Sequence, residues 1–126
     1  MPNDNLNLGL LSEKKAREFL KAQGYKILQA NYKTKLGEVD IIARDKDTLC
    51  FVEVKSRSSD RFGTGLDAVS RLKQKQVSKA ALSFLKEKNL LDSKARFDVV
   101  SLDYSGNEEK ITLIKNAFEL DERFTY

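Results

Sequence analysis

The sequence predicts an α/β fold in which a mixed β-sheet is flanked by helices, with a helix first in the chain. Apolar residues recur at helical spacing in two segments, one near the start of the chain and one in its middle. Five short runs with strand composition lie between and after these segments. The long middle helix separates the third and fourth strands, which can therefore lie parallel after a crossover connection. Helices on both faces would cover such a sheet.

The first half of the chain is expected to form one helix and three strands. Apolar residues at helical spacing span residues 9–23, with Ser12 as a candidate N-cap and Gly24 as the C-cap glycine. Residues 25–30 are typical of a short strand, and residues 31–37 of a connection. A hairpin follows, with strands expected at residues 40–43 and 49–52.

The second half of the chain begins with a loop over residues 56–65, rich in serine and glycine. A long amphipathic helix is predicted over residues 66–89. Strands are expected at residues 96–104 and 110–115, and residues 116–126 form a tail whose apolar residues should dock on the body of the protein.

Length and composition indicate a single soluble domain over residues 1–126, with residues 1–8 polar and flexible. The chain is 40% hydrophobic and 33% charged, and no apolar run is long enough to span a bilayer. The start of the sequence lacks signal-peptide features, and Cys50 falls inside an apolar strand. A reduced core cysteine and a cytoplasmic location are therefore expected. Histidine is absent, which excludes Ser-His-Asp and Cys-His catalysis and histidine-rich zinc sites.

Two acidic residues and a lysine fall at one end of the predicted hairpin. A hairpin that closes at Lys46–Asp47 places Asp40 opposite Glu53, at a Cβ separation of about 5 Å, where like charges repel. The same register places Glu38 opposite Lys55, so that Glu38 could interact with the lysine without contacting the metal itself. Side-chain alternation puts Asp40, Glu53 and Lys55 on one face of the sheet. The other face then carries Val39, Ile41, Val52 and Val54.

Two facing carboxylates are a candidate site for a divalent cation. Mg²⁺ prefers hard oxygen ligands, typically one or two carboxylates together with waters and phosphate oxygens. A bound ion would relieve the repulsion between Asp40 and Glu53, polarise a phosphate and lower the pKa of a bound water. Lys55 could orient that water or stabilise charge on the phosphate. The alternative is a solvated face of a half-buried sheet, although the surrounding runs favour a doubly covered sheet, where unpaired charges are costly.

A basic segment begins inside this candidate site. Residues 55–79 contain seven basic and two acidic residues, a net charge of +5, whereas the whole chain carries +4. This distribution suits a polyanionic substrate, with Arg57, Arg61 and Lys73 as candidate nucleic-acid contacts. A solvated helix face is the alternative explanation of the charge run.

An Asp on one strand of a hairpin and Glu-x-Lys on the next, in a helix-first α/β domain, resemble the PD-(D/E)xK nuclease superfamily, with Val39 in place of the proline. The chain further resembles a bacterial family of small predicted endonucleases, the YraN-like proteins, related in fold to archaeal Holliday-junction resolvases. The matching stretches are Glu13–Ala16, Gly24–Tyr25, Asn31, Gly37–Asp40, Phe51–Lys55, Arg57, Phe62–Gly63, Ala68–Val69, Lys73, Arg96–Asp98 and Asn116–Phe118.

This resemblance implies a restriction-endonuclease-like three-layer fold and a Mg²⁺ or Mn²⁺ cofactor. Asp40 and Glu53 would hold the metal together with the main-chain carbonyl of Val54, and Lys55 would position or activate the attacking water. Glu13 matches an acidic residue that often completes such a site, although it could equally be a solvated helix residue.

The leading functional hypothesis is a metal-dependent endonuclease that hydrolyses phosphodiester bonds in DNA, in branched or single-stranded structures of recombination or repair. An enzyme that acts on a two-fold-symmetric four-way junction would need two sites and hence a homodimer. One alternative is a nucleic-acid-binding module that keeps the nuclease fold without cleaving, since phosphate contacts alone give salt-sensitive binding. Another is a protein-interaction role on the same scaffold.

Overall fold

A computed structural model describes residues 4–57, 70–104, 106 and 108–119, without the side chains of residues 4–8 and of Arg57. The elements in chain order are α1 (Asp4–Ala22), β1 (Lys26–Lys33), β2 (Glu38–Asp45), β3 (Thr48–Arg57), α2 (Arg71–Glu87), β4 (Ala95–Asp103) and β5 (Lys110–Phe118). Neither of these helices is long and apolar enough to cross a membrane.

The five strands form one sheet in the order β1-β2-β3-β4-β5. β3 and β4 run parallel and are joined through α2, whereas the other neighbours are antiparallel. One apolar core joins α2 to the sheet around Phe51 and Phe84. A second core joins α1 to the sheet around Leu20 and Val100, and it contains the buried Cys50. The predicted α/β fold with a mixed sheet between helices is confirmed, and it is consistent with a restriction-endonuclease-like three-layer architecture.

The first helix is longer than the sequence predicts. α1 begins at Asp4, so the expectation of a flexible segment over residues 1–8 is wrong from that residue onward. Ser12 is not an N-cap but a buried residue within the helix. The apolar pattern begins only near residue 9, whereas backbone hydrogen bonds extend the helix through polar residues as well. Gly24 is the C-cap as predicted, with φ of 97° and its N–H donating to the carbonyl of Lys21 at 3.0 Å.

The first strand also extends beyond its predicted end. β1 continues to Lys33, although residues 31–37 are predicted to be a connection. Asn31 has a φ of 54°, a left-handed conformation that asparagine tolerates. Pairing with β2 resumes at Tyr32, so the expected connection shrinks to the tight turn that begins at Thr34.

The second helix and the fifth strand agree with the sequence over most of their lengths. Ser70 caps α2 by accepting the N–H of Lys73 at 3.1 Å, and the predicted helix is confirmed over residues 71–87. Residues 58–69, which include most of the predicted loop, lie outside the described residues. β5 runs to Phe118, which stacks on Phe97 with ring centroids 4.7 Å apart. Residues 116–118 of the expected tail therefore belong to the sheet, and residues 120–126 are not described.

A buried polar network fixes the end of the sheet near the β2–β3 turn. Asp98 is fully buried and accepts hydrogen bonds from the Tyr25 hydroxyl at 2.9 Å, from Nε of Arg96 at 2.8 Å and from the N–H of Asn116 at 2.9 Å. Arg96 also donates to Asp45 at 2.9 Å. Asp98 is thus a structural acid paired with Arg96, and it lies outside the candidate site.

Candidate metal centre

β2 and β3 pair as a hairpin and then separate at Asp40. The predicted register is confirmed from the turn up to the pair formed by Ile41 and Val52. Beyond this pair, β2 remains paired with β1, and β3 remains paired with β4. The N–H of Val54 donates to Oδ2 of Asp40 at 2.8 Å instead of to a strand carbonyl. Asp40 therefore lies where the two strands divide.

Two expectations that assume a longer ladder are wrong. Glu38 pairs with Lys33 of β1 and does not lie opposite Lys55. Its Oε1 lies 4.0 Å from Nζ of Lys73. Val39 packs in the core beneath α2, rather than with the apolar residues on the α1 side of the sheet. The position of Glu38 follows from the separation of β2 from β3, because a register extrapolated along the hairpin holds only while the strands stay paired. Val39 and Ile41 lie in different cores although they are two residues apart on β2, so the alternation of side chains is broken between them.

Glu53 is a buried acid on β3, with 1% of its surface exposed. Its Oε2 lies 3.4 Å from Nζ of Lys73, which belongs to the first turn of α2. Its Oε1 is buried and has no hydrogen-bond partner within the described part of the chain. Burial, and then the charge of Asp40, raise the pKa of Glu53 to about 8, although Lys73 acts in the opposite direction. A buried carboxyl with an unbonded oxygen beside a second acid is a candidate cation ligand.

Glu13 of α1 faces the same region. Together with Asp40 and Val54 it lines a cleft of about 320 Å³ at the strand separation. Burial, and then the charge of Asp40, raise the pKa of Glu13, and its Oε1 has no partner among the residues that the structure describes. Burial also raises the pKa of Asp40, against the opposing effects of the Val54 N–H and Lys73. Glu13 and Asp40 line one cleft and both have a raised pKa, which indicates an excess of negative charge in a desolvated place.

The acids alone do not form a closed metal cage. Over the described ranges, no three acidic or cysteine side chains lie close enough together to enclose an ion by themselves. A cation between Asp40 and Glu53 would therefore also need main-chain and water ligands. This donor set suits Mg²⁺, which usually keeps several waters and binds one or two carboxylates.

The sequence of this region matches a known family. A family model described as "Uncharacterised protein family UPF0102" matches residues 12–102. The chain belongs to this family. Three bacterial proteins, each called "UPF0102 protein", illustrate the relationship. The protein from Syntrophus aciditrophicus is 49% identical over 92% of this chain and 91% of its own length. Those from Geobacter metallireducens (47%, over 92% and 95%) and Desulforapulum autotrophicum (43%, over 96% and 100%) are similar over nearly all of both chains.

The sequence-predicted site residues of this UPF0102 protein fall into two groups. Glu13, Asp40 and Val54 line the cleft at the strand separation, and Glu53 lies near enough to Asp40 for that charge to raise its pKa. Lys55 follows two residues after Glu53 on the same strand. Of the candidate nucleic-acid contacts, the structure describes only the side chain of Lys73. Arg57 ends β3 with a side chain outside the described residues, Arg61 lies outside them altogether, and the ammonium of Lys73 lies at the carboxylates instead of on an open surface.

Two contacts of the acidic residues are not predicted from the sequence. Lys73 is the ion-pair partner of Glu53, and the Asn31 side chain hydrogen-bonds to Glu13. A buried acid in a doubly covered sheet requires a counter-charge. This requirement predicts a basic partner for Glu53, and Lys73 is that partner. Nothing in the local pattern identifies Asn31, since its position depends on where α1 crosses β1.

Proposed function

We propose that this chain is a metal-dependent endonuclease of the PD-(D/E)xK type that hydrolyses phosphodiester bonds in DNA. The observation that carries the proposal is the buried carboxyl of Glu53, which keeps one oxygen unbonded by any described residue and lies beside Asp40. An arrangement used only for folding gains nothing from this pair, because like charges repel and an ionised group is costly to bury. A divalent cation would offset both effects.

The proposed ligands are Asp40, Glu53 and the carbonyl of Val54. The N–H and C=O of one strand residue point to the same side of the strand. Because the N–H of Val54 donates to Asp40, the carbonyl of Val54 is expected to face the same gap. Glu13 lines the cleft from α1 and is placed to accept hydrogen bonds from water in it. Bound Mg²⁺ or Mn²⁺ would polarise the scissile phosphate and lower the pKa of a coordinated water.

Lys55 is the proposed positioning group for the attacking water. Residues two apart on a strand share a face, about 7 Å from one another, so Lys55 projects on the same side as Glu53. Lys73 already neutralises part of the charge of Glu53. The ammonium of Lys55 can therefore act on the substrate, where it would hold the water or stabilise charge on the phosphate.

The substrate class follows from charge. The basic segment at residues 55–79 carries +5 and begins at the site, as expected for a protein that binds a phosphate backbone. A carboxylate–metal site repels a polyanion unless basic residues surround it. The positive segment and the acidic cleft together favour a phosphodiester substrate over a small neutral one.

The test is cleavage of single-stranded, duplex, nicked and four-way-junction DNA with Mg²⁺ or Mn²⁺. Wild-type protein should cut at least one of these substrates, and Asp40→Asn should lower the rate by about 100-fold or more, because it removes a metal ligand. Asp92→Asn, in the exposed turn after α2, is the matched control and should cleave normally. Equal cleavage by wild type and Asp40→Asn contradicts the assignment, and salt-sensitive binding without any cleavage favours the binding module.

A further inference from the structure

A second depression adjoins the acidic cleft on the side of the β1–β2 turn. Its volume is about 330 Å³, and it shares Lys33 and Glu38 with the cleft that contains Asp40. Its walls include Lys35 and Leu36. This volume lies at the lower end of the roughly 300–1,000 Å³ typical of small-ligand pockets. A chain of substrate that crosses the acidic cleft would continue into it.

The turn that forms this depression is rigid. The N–H and the hydroxyl of Thr34 both donate to the carbonyl of Gly37, at 2.8 and 3.0 Å. The same hydroxyl oxygen accepts the N–H groups of Leu36 and Gly37, each at 3.1 Å. Gly37 lies so close to α2 that a Cβ there would be 2.1 Å from the carbonyl oxygen of Gln76. The turn is thus fixed both internally and against the helix, so that binding would cost little ordering entropy.

The chemistry of the depression suits one nucleotide unit. Leu36 is 60% exposed, and a single exposed leucine is ordinary on a protein surface. Here, however, it follows the exposed Lys35 and stands in one depression with the exposed Lys33. An apolar surface beside two ammonium groups complements a base with its phosphate, because the base face is apolar and the phosphate is anionic.

We propose that this depression is a nucleotide subsite, in which Leu36 packs against a base and Lys33 and Lys35 bind the adjoining phosphate. The inference rests on the proposed nuclease function and adds the part of the substrate that lies beside the scissile bond. Leu36 lies four residue steps before Asp40, so the two Cα atoms are at most about 13 Å apart. With stacked bases about 3.4 Å apart along a strand, the subsite lies within about four nucleotides of the scissile phosphate. Since a base pairs and stacks on both sides in a duplex, the subsite selects an unstacked base.

The experiment compares two single strands of equal length and charge, a labelled oligothymidine and the same backbone without bases. Fluorescence anisotropy in EDTA gives Kd for each strand while no cleavage occurs. Leu36→Ser should weaken binding of oligothymidine about fivefold to tenfold, the lower range for loss of a base-stacking contact. It should change binding of the abasic strand less than twofold. Leu91→Ser, which alters another exposed leucine (54% exposed), is the control and should change neither Kd.

The phosphate contact has its own readout. Lys35→Gln should lower the slope of log Kd against log salt concentration by about 0.7 for both strands, the value for one phosphate of a single strand. Lys26→Gln, at the exposed start of β1, should leave the slope unchanged. Wild-type protein that binds neither strand, equal weakening of both strands by Leu36→Ser, or an unchanged slope in Lys35→Gln overturns the subsite.

Failure of the subsite can be distinguished from failure of the proposed nuclease reaction. If the protein cleaves DNA in a metal-dependent manner but Leu36→Ser does not change its binding of oligothymidine, the subsite is rejected and the nuclease reaction is not. Binding that depends on Leu36 with no cleavage of any substrate rejects the nuclease reaction and keeps the subsite.

Discussion

Replacement of Glu53 by glutamine should largely remove an unusual pH dependence of stability. Burial and the charge of Asp40 raise the pKa of Glu53 from 4.5 to about 8. The folded protein therefore holds a proton that the unfolded chain has released, and the free energy of unfolding should fall as pH rises from about 5 to 8. The chain contains no histidine, so few other groups titrate in this window.

The magnitude follows from the difference between the folded and unfolded pKa values. About 3.5 pH units at about 1.4 kcal/mol per unit set an upper limit of about 5 kcal/mol. Because the interval from pH 5 to pH 8 covers only part of this titration, we expect about 2–4 kcal/mol between these two pH values. Glu53→Gln cannot ionise, so its stability should vary much less over the same range, and above pH 8 it should exceed that of wild type.

The assay is urea unfolding followed by circular dichroism at pH 5, 6, 7 and 8, with EDTA to remove divalent ions. Glu108→Gln changes an exposed acid and serves as the control, with the pH dependence of wild type. Adding Mn²⁺ should stabilise wild type more at pH 8 than at pH 6, since a metal binds the ionised carboxyls and stabilises only the folded state. A wild-type stability that is flat or rises with pH, or an equal slope in Glu53→Gln, would refute this reasoning.

Two further predictions concern the surroundings of the acids. Lys73→Met removes the ammonium that lies 3.4 Å from Glu53, and it should destabilise the metal-free protein by about 1–3 kcal/mol at pH 9. This loss is smaller than that expected for a fully buried ion pair, because Lys73 is partly exposed. At pH 5.5 the same variant should lose little, because Glu53 is then protonated; a loss of equal size at both pH values, measured by urea unfolding, contradicts the ion pair. Gly37→Ala places a Cβ 2.1 Å from the carbonyl oxygen of Gln76 and should lower stability by about 1–3 kcal/mol. A Cβ added at Gly106 has no heavy atom within 4 Å, so Gly106→Ala should leave Tm nearly unchanged. Thermal melts of both variants check this, and an equal fall in Tm for both would argue against the close approach of Gly37 to α2.

The sequence predicts the hairpin well because two local signals agree there. The polar turn and the apolar runs on either side leave one register that buries both strands, and the pairing up to Ile41 and Val52 follows it. That register brings Asp40 and Glu53 to the same end of the hairpin, although the observed pairing ends one residue pair earlier. The C-cap at Gly24 is likewise a local matter, since only a residue with easy access to positive φ ends the helix in this way.

The errors arise where tertiary contacts decide the structure. β2 leaves β3 at Asp40, and no local pattern shows that the carboxylate of Asp40, and not a strand carbonyl, accepts the N–H of Val54. The position of Lys73 depends on how α2 packs across the sheet, so the sequence does not predict that its ammonium lies 3.4 Å from Glu53. Serine is a preferred N-cap residue, but Ser12 lies inside a longer helix.

The most direct test of the central claim is a crystal soaked in Mn²⁺ at pH 8 and measured for anomalous scattering. We expect one strong peak between the carboxylates of Asp40 and Glu53, within ligand distance of the Val54 carbonyl, and we expect its loss in Asp40→Asn. A fully soaked wild-type crystal with no peak there, or with manganese bound only at other acids, would contradict the metal centre on which the proposed chemistry depends.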